Sequence, residues 1–264
     1  MKHFKSLIAV WFILYLFLIG SFPANARDLT VSMAQLPVLI EDKDTGAFVD
    51  LVRALDEVYT EGEIIREVYP FKRSLDNVIK GKADFHIPLI KNPLIPEDKL
   101  PFRYSSLPTG PVAFVIYSHK DKPLTREDIV KTGGENSARF PYKIHTMPGH
   151  TELFIFPTVE NFDFEKGLKM VLTKRVDALI LPQEECDSII RKLQIKDIHR
   201  SLYYEFDSMI VVSKDKKGEE TDRILTDALK KLKSDGRLDR LNENIHKSYM
   251  DWQPYREIKG NIMK

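Results

Sequence analysis

The chain has 264 residues, with 40 lysines and arginines against 39 aspartates and glutamates, and 43% of its residues are apolar. This balance is typical of a globular protein and excludes a disordered or low-complexity chain. The net charge of +1, with acids and bases interspersed, provides no basic stripe, so we expect no nucleic-acid partner. Cys186 is the single cysteine, which excludes an internal disulfide, and no Cys/His cluster has zinc-ligand spacing, so we expect no cofactor.

The first 26 residues have the pattern of a secretory signal peptide. Two lysines precede thirteen consecutive apolar residues at 7–19, and Ala24-Asn25-Ala26 ends in the small-x-small pattern of a cleavage site. A membrane anchor is the alternative, but the apolar run stops at Gly20, short of the roughly 20 residues that a spanning helix needs. Cleavage predicts a soluble, monomeric periplasmic protein comprising residues 27–264.

The first part of this mature chain alternates predicted strands with predicted helices. A period-two pattern predicts a strand at 29–33, and apolar residues at three- and four-residue spacing predict an amphipathic helix at 48–59. The elements that follow are a strand at 64–69, a helix at 74–80 and a strand at 83–90. This βαβαβ order implies an α/β fold in which helices cover a parallel sheet.

One helix-turn-strand unit occurs twice, at a constant offset of 93 residues. The matching pairs are Leu75 and Leu168, Val78 and Val171, Ile79 and Leu172, Lys82 and Arg175, Ala83 and Val176, Asp84 and Asp177, and Ile87 and Ile180. Coincidence between two amphipathic helices is the alternative to an internal repeat. A true repeat implies two similar α/β lobes.

Two apolar segments are candidates for the connections between these lobes. Segment 112–117 leads away from the first unit, and segment 209–212 precedes a predicted helix at 224–232 that we expect to pack on the first lobe. Two strands that cross between lobes in opposite directions restrict motion to opening and closing, the hinge geometry that closes around ligands. The predicted division assigns lobe 1 to 27–112 and 209–254, lobe 2 to 113–208, and a C-terminal tail to 255–264.

Six short motifs along the mature chain match those of a known family in order and spacing. They are Gly46-Ala47-Phe48-Val49-Asp50-Leu51, Ile79-Lys80-Gly81-Lys82-Ala83-Asp84, 102–108, 142–151, Arg175-Val176-Asp177-Ala178 and Ser234-Asp235-Gly236. The chain thereby resembles the periplasmic solute-binding proteins of the amino-acid-binding type, extracellular solute-binding protein family 3. The resemblance implies two lobes that close over a small solute and present it to a membrane permease of an ABC transporter.

The resemblance leaves other uses of the same lobes open. A periplasmic sensory protein would report its solute to a membrane receptor instead of a permease. A dehydratase-like enzyme on this fold would need a cleft carboxylate with a raised pKa as general acid or base, for which Glu184 and Glu152 are candidates. No Gly-x-Ser-x-Gly, Walker or dinucleotide pattern is present, and His145 and His150 lack the spacing of a helical metal pair. We therefore expect a binding protein rather than an enzyme or metalloprotein.

Three residues of the first lobe are candidates for ligand contact. Arg73 offers a planar fork for a carboxylate and resembles an aromatic-x-Arg element of some family members, with a solvated Arg as the alternative. Pro88 and Lys91 lie where family members place ligand contacts. The carboxylate-binding Arg of the family aligns with Lys99, which lacks the fork geometry, so the resemblance makes an ordinary α-amino acid a doubtful ligand.

In the second lobe, Gly149, His150 and Thr151 follow a predicted strand and precede a predicted helix start. Free backbone N–H groups and the Thr151 hydroxyl would receive an anionic group there, matching the family's carboxylate site. The alternative is that Thr151 only caps its helix. The sequence thus predicts a small polar solute that can carry a carboxylate.

The family acid that takes the ligand's amino group falls at Pro182. Gln183 and Glu184 are nearby substitutes, although we expect Glu184 to be a solvated charge. Aromatic side chains could also wall the cleft, although we expect core packing for Phe48 and Phe114 because phenylalanine is usually buried.

Overall fold

The computed structural model describes residues 27–37, 39–133, 140–161 and 163–250, so the predicted signal peptide and the 255–264 tail lie outside it. Strands of the described chain are β1 Leu29–Ala34, β2 Ile64–Tyr69, β3 Phe85–Ile90, β4 Arg103–His119, β5 Ile144–Thr146, β6 Val159–Glu160, β7 Ala178–Pro182 and β8 Ile198–Val212. Its α-helices are α1 Ala47–Val58, α2 Phe71–Ile79, α3 Arg126–Gly133, α4 Phe164–Leu172, α5 Gln183–Lys192, α6 Lys216–Ser234 and α7 Arg237–Ile245. None of these helices is long and apolar enough to cross a bilayer.

Two long antiparallel strands join two groups of parallel strands into one eight-stranded sheet. β1 pairs with β2 and β3 in parallel, and β5 pairs with β6 and β7 in parallel. β4 and β8 run antiparallel between these groups, from Arg103 beside Val212 to His119 beside Ile198. The strand order is β2-β1-β3-β8-β4-β7-β5-β6. The predicted α/β fold with two hinge strands is confirmed, while the exact lobe boundaries stay a prediction.

The helix-turn-strand repeat is present in the structure as well as in the sequence. α2 and α4 begin and end 93 residues apart, as do the starts of β3 and β7. In the first lobe, an Asp84 carboxylate oxygen accepts a hydrogen bond from the Thr30 backbone N–H at 2.8 Å. In the second lobe, Asp177 accepts the equivalent bond from the Lys143 N–H at 2.8 Å. Each aspartate thereby ties the turn after a repeated helix to a neighbouring segment, Asp84 to β1 and Asp177 to the residue before β5.

The turn after each repeated helix contains one residue in the left-handed region. Gly81 has a φ of 68°, and its equivalent Lys174 has a φ of 56°. No neighbouring atom lies within 4 Å of the place where a Gly81 Cβ would stand. Backbone conformation alone therefore opposes a side chain at Gly81.

We expect Gly81→Ala to lower the free energy of unfolding by about 1 kcal/mol, because an L-residue is strained at positive φ. Lys174→Gly is the matched control and should change this free energy little, since relief of strain is offset by greater freedom of the unfolded chain. Urea unfolding of both variants measures the difference. An equal loss in the two variants would contradict this account.

The hinge strands are longer than the sequence pattern predicts. β4 has 17 residues and β8 has 15, whereas only 112–117 and 209–212 carry a strand pattern. Pro108, Gly110 and Pro111 interrupt that pattern in β4, and the pairing of β4 with β8 shifts register around Pro108 and Gly110. Because bulges accommodate proline and glycine residues that a regular ladder does not, β4 continues through this segment as one strand.

The amphipathic face of α1 forms much of the core of the first lobe. Phe48, Leu51, Val52 and Leu55 are at most 1% exposed, as their three- and four-residue spacing predicts. α6 and α7 contact α1, so the chain returns to the first lobe after β8. The expected packing of the C-terminal helices is confirmed, and it brings the residues after α7 beside the cleft.

Candidate functional site

A small cavity of about 40 Å³ lies between the two lobes. Both lobes, the hinge strands and the segment after α7 line it. The first lobe contributes Leu36, Leu39, Phe48, Phe71, Pro88 and Ile90, and the second lobe contributes Met147, His150, Pro182, Glu184 and Glu185. The hinge strands add Val112 and Ser208, and the segment after α7 adds His246. Several of these residues follow the carboxyl ends of parallel strands, where open α/β sheets bind their ligands. A mostly apolar lining with few polar groups is typical of small-molecule sites.

A wider groove of about 840 Å³ adjoins this cavity and shares Leu36, Phe71, Met147 and Glu185 with it. Its walls include the first residues of the repeated helices α2 and α4. Charged residues of its lining are Lys72, Asp163, Glu165, Glu185 and Lys192. The inner cavity is therefore the narrow end of a larger cleft between the lobes.

Two adjacent glutamates lie in the first turn of α5, directly after β7. Glu184 is 5% exposed and Glu185 4% exposed. Burial and the neighbouring Glu185 charge raise the pKa of Glu184 to about 8, and burial raises the pKa of Glu185 to about 7. Neither Glu184 carboxyl oxygen has a hydrogen-bond partner of good geometry among the described residues. The expectation that Glu184 is a solvated charge is wrong, because its side chain is buried at the cavity between the lobes.

Two buried histidines face the same cavity. His150 is 4% exposed, and its Nδ1 has no hydrogen-bond partner among the described residues; His246 is 8% exposed, and neither of its ring nitrogens has one. Burial lowers the pKa of His150 to about 4 and that of His246 to about 3. Both rings are therefore neutral near pH 7, and each keeps one nitrogen that can accept a hydrogen bond.

Aromatic rings hold these imidazoles in place. The Phe48 ring stands edge-on to His246 with 5.4 Å between centroids, and the Phe114 ring lies 5.3 Å from His150. Phe71 packs edge-on against His150 at 6.5 Å. Phe48 is both a core residue and part of the cavity wall, whereas Phe114 supports the wall from behind.

Of the sequence-predicted ligand residues, Pro88 and His150 line the cavity, but the two cationic candidates do not. Arg73 is exposed, and its guanidinium lies 5.0 Å from the centroid of the Tyr69 ring. The Lys91 ammonium pairs with Glu97 at 2.8 Å. The structure therefore brings no predicted carboxylate clamp into the cavity.

The remaining predicted residues lie around the cavity but are engaged elsewhere. The Gly149 N–H donates to the Glu160 carboxylate at 2.9 Å. Thr151 begins a single 3₁₀ turn, Thr151–Leu153, so the predicted helix start is corrected, since the chain becomes extended at Phe154. Gln183 is fully buried, where its amide bonds to Arg200 and to the Lys247 carbonyl.

His246 and Glu185 were missed as candidates from the sequence. His246 follows α7 in a segment without a motif, and only the return of the C-terminal helices places it beside the first lobe. Glu185 belongs to a pair of acids at a helix start, a pattern more typical of exposed residues. Within the described residues, no group of three or more histidine, cysteine, aspartate or glutamate side chains is arranged to hold a metal ion.

Comparison with solved structures identifies many chains of the same fold, three of which illustrate the range. The GluR0 ligand-binding core from Nostoc punctiforme, in complex with L-glutamate, is 15% identical over 81% of this chain and 97% of its own, with a TM-score of 0.63. A probable amino-acid ABC transporter extracellular-binding protein from Bacillus subtilis is 16% identical over 83% of this chain and 97% of its own, with a TM-score of 0.58. An ancestral amino acid-binding protein, a precursor of cyclohexadienyl dehydratase, is 20% identical over 82% of this chain and 94% of its own, with a TM-score of 0.58.

No protein-family model matches the sequence, and no curated protein matches it. At these identities the likeness to solved structures concerns the fold, which is the two-lobed fold of the amino-acid-binding proteins. The fold implied by the sequence motifs is therefore confirmed.

Proposed function

We propose that this protein is an exported solute-binding protein that captures a small molecule between its lobes by hinge closure, for a transport system. The observation that carries the proposal is the cavity lined from both lobes, in which four buried titratable side chains face a common space: Glu184, Glu185, His150 and His246. Unpartnered buried polar groups are costly, so such a cluster is best explained by a ligand that satisfies them. The predicted signal peptide supports a periplasmic location.

A thermal-shift screen tests the binding function. Amines, amino acids, organic acids and short peptides are each added to the protein, since a ligand at 100 times its Kd adds about 2.7 kcal/mol to the free energy of unfolding. We expect one class to raise the melting temperature and to make the protein more compact in small-angle scattering. The proposal fails if no solute produces either effect.

Two residues on the first turn of α2 provide a matched test of where the solute binds. Phe71 lines the cavity and the groove, whereas Arg73 is exposed and outside both. We expect Phe71→Ala to weaken binding of the stabilising solute at least tenfold and Arg73→Ala to leave it unchanged. Isothermal titration measures both affinities. A weakening by Arg73→Ala alone would restore the sequence-based assignment and move the site away from the cavity.

A dehydratase-like enzyme is the second candidate function, and the raised pKa of Glu184 favours it. A carboxyl group that titrates near neutral pH inside a closed cleft can act as general acid or base. Incubation with candidate cyclic acids followed by product analysis distinguishes the two functions. Product formation that Glu184→Gln abolishes would establish catalysis, whereas binding without turnover leaves the solute-binding proposal standing.

A further inference from the structure

The inner cavity is lined by acidic side chains but by no lysine or arginine among the described residues. Its lining contains two carboxyl side chains, Glu184 and Glu185, and two neutral imidazoles. Lys72 and Lys192 line the outer groove instead. The polar side chains of the cavity are thus two carboxyl groups, two neutral imidazoles and the Ser208 hydroxyl, with no fixed cation to pair with an anion.

From this lining we propose that the cavity binds the head group of an organic cation, a primary amine on an apolar body without a carboxylate beside the amine. The inference rests on the proposed function and names the substrate class for the same site. The ammonium group would donate to Glu184 and to the free imidazole nitrogens of His150 and His246. The apolar body would extend past Phe71 into the outer groove.

Both faces of the cavity suit an ammonium group. Glu184 lies in the second lobe and His246 beside the first, so one ammonium with three N–H donors can bond to both lobes and hold them closed. The rings of Phe48 and Phe71 line the same space, and an aromatic face attracts a cation within about 6 Å. Bulk charge contributes little selectivity in a protein with a net charge of +1.

An α-amino acid fits this cavity less well than the corresponding amine. Its carboxylate would be held within the same small space as Glu184 and Glu185, and a buried anion without a cationic partner is strongly unfavourable. The resemblance to amino-acid-binding proteins assigned that carboxylate to an Arg or to the Thr151 region. Neither supplies a cation to the cavity, because Arg73 is outside it and Lys99 pairs with Asp98 on the surface.

Binding of a cation should also release a proton. The pKa of Glu184, raised to about 8 by burial and by Glu185, leaves its carboxyl group mostly protonated at pH 7. An ammonium group beside it favours the carboxylate, so the Glu184 proton passes to the buffer while the amine keeps its own. A neutral or anionic solute would produce no such release.

Isothermal titration with matched ligand pairs tests the proposal. The pairs are 3-methylbutylamine with leucine and 2-phenylethylamine with phenylalanine, which differ only in the carboxylate. We expect at least one amine to bind at least tenfold more tightly than its amino acid. Titration at pH 7 in buffers of different ionisation enthalpy should show proton release on amine binding, mostly from Glu184 and to a smaller extent from Glu185, which is about half protonated at this pH.

Glu184→Gln is the decisive variant because it keeps the side-chain shape and removes the acid. It should weaken amine binding at least tenfold and reduce proton release to the smaller share of Glu185. Glu152→Gln, a change at an exposed glutamate two residues after His150, should alter neither the affinity nor the release. Amino acids binding as tightly as their amines, or unchanged amine affinity in Glu184→Gln, would overturn the proposal. If another solute class raises the melting temperature, the amine assignment fails while solute binding stands; if no class does, both fail.

Discussion

Arg200→Met should lower the free energy of unfolding by roughly 3–5 kcal/mol, the cost of leaving one partner of a buried ion pair alone. Arg200 is 5% exposed and Asp187 is fully buried, and the guanidinium meets the carboxylate through Nη2 at 2.6 Å and Nε at 3.0 Å. The Tyr117 hydroxyl donates a further bond to Asp187 at 2.8 Å. These contacts tie α5 to both hinge strands.

Asp187 shows why removal of its partner is costly. Burial already raises the pKa of the Asp187 carboxyl, and the hydrogen bond and charge of Arg200 oppose that rise. Without the guanidinium, the carboxylate must either stay charged in an apolar interior or take up a proton. The guanidinium also lies 4.4 Å from the Tyr249 ring centroid, so the same substitution loosens the segment after α7 that carries His246.

Urea unfolding of three variants measures this effect. Arg53→Met is the matched control, since Arg53 is 41% exposed and its pair with Asp50 at 3.0 Å lies on the surface, where such pairs contribute about 0–1 kcal/mol. The double variant Arg200→Met with Asp187→Leu should recover part of the loss because no lone charge remains. A cost for Arg200→Met no larger than that for Arg53→Met would contradict the argument.

Local patterns in the sequence were enough to predict the scaffold. The spacing of Leu51, Val52 and Leu55 defines the buried face of α1, and the offset between Asp84 and Asp177 identifies two turns that make the same hydrogen bond. Such features depend on residues close in the chain or on a repeated unit. They can therefore be predicted without knowledge of contacts between distant parts of the chain.

The site depended on contacts that local patterns do not contain. Phe71 and Arg73 are two residues apart, which places them about 200° apart around a helix, so the aromatic member of the motif faces the cavity and the Arg faces solvent. Glu184 is buried because the opposite lobe and the segment around His246 close over it. Burial of this kind arises from residues more than 60 positions away, so a local sequence pattern does not predict it.

The buried acids and histidines should give the ligand-free protein a maximum of stability near pH 6.5. Glu184 and Glu185 have pKa values of about 8 and 7 in the folded protein, above the ordinary value of 4.5 for a glutamate. The folded state therefore binds more protons than the unfolded state, and the free energy of unfolding falls as the pH rises toward 8. His86, His150 and His246 have pKa values lowered by burial to about 4, 4 and 3, against 6.5 unfolded, so stability falls as the pH drops below 6.5.

Above about pH 7.5 the histidines are neutral in both states and the glutamates alone determine the slope, whereas between pH 6.5 and 7.5 the unfolded histidines still lose protons, which offsets part of the loss. Each group contributes about 1.4 kcal/mol per pH unit across its window, so the loss between pH 6.5 and 8.5 should be on the order of 2 kcal/mol. Urea unfolding at both pH values measures it. Glu184→Gln should remove most of the loss and Glu152→Gln none of it, and a wild-type free energy that is equal at both pH values would refute the assignment.

The same titration links stability to the proposed ligand. As the pH rises through the window of Glu184, the site gains a negative charge that destabilises the closed, empty protein, while a primary amine keeps its proton up to about pH 10. A saturating amine should therefore restore the stability lost between pH 6.5 and 8.5, and amine affinity should increase over that range. Because a bound cation should remove this pH dependence, we expect ionisation of the buried carboxyl group to favour opening of the lobes without a cation and closure with one.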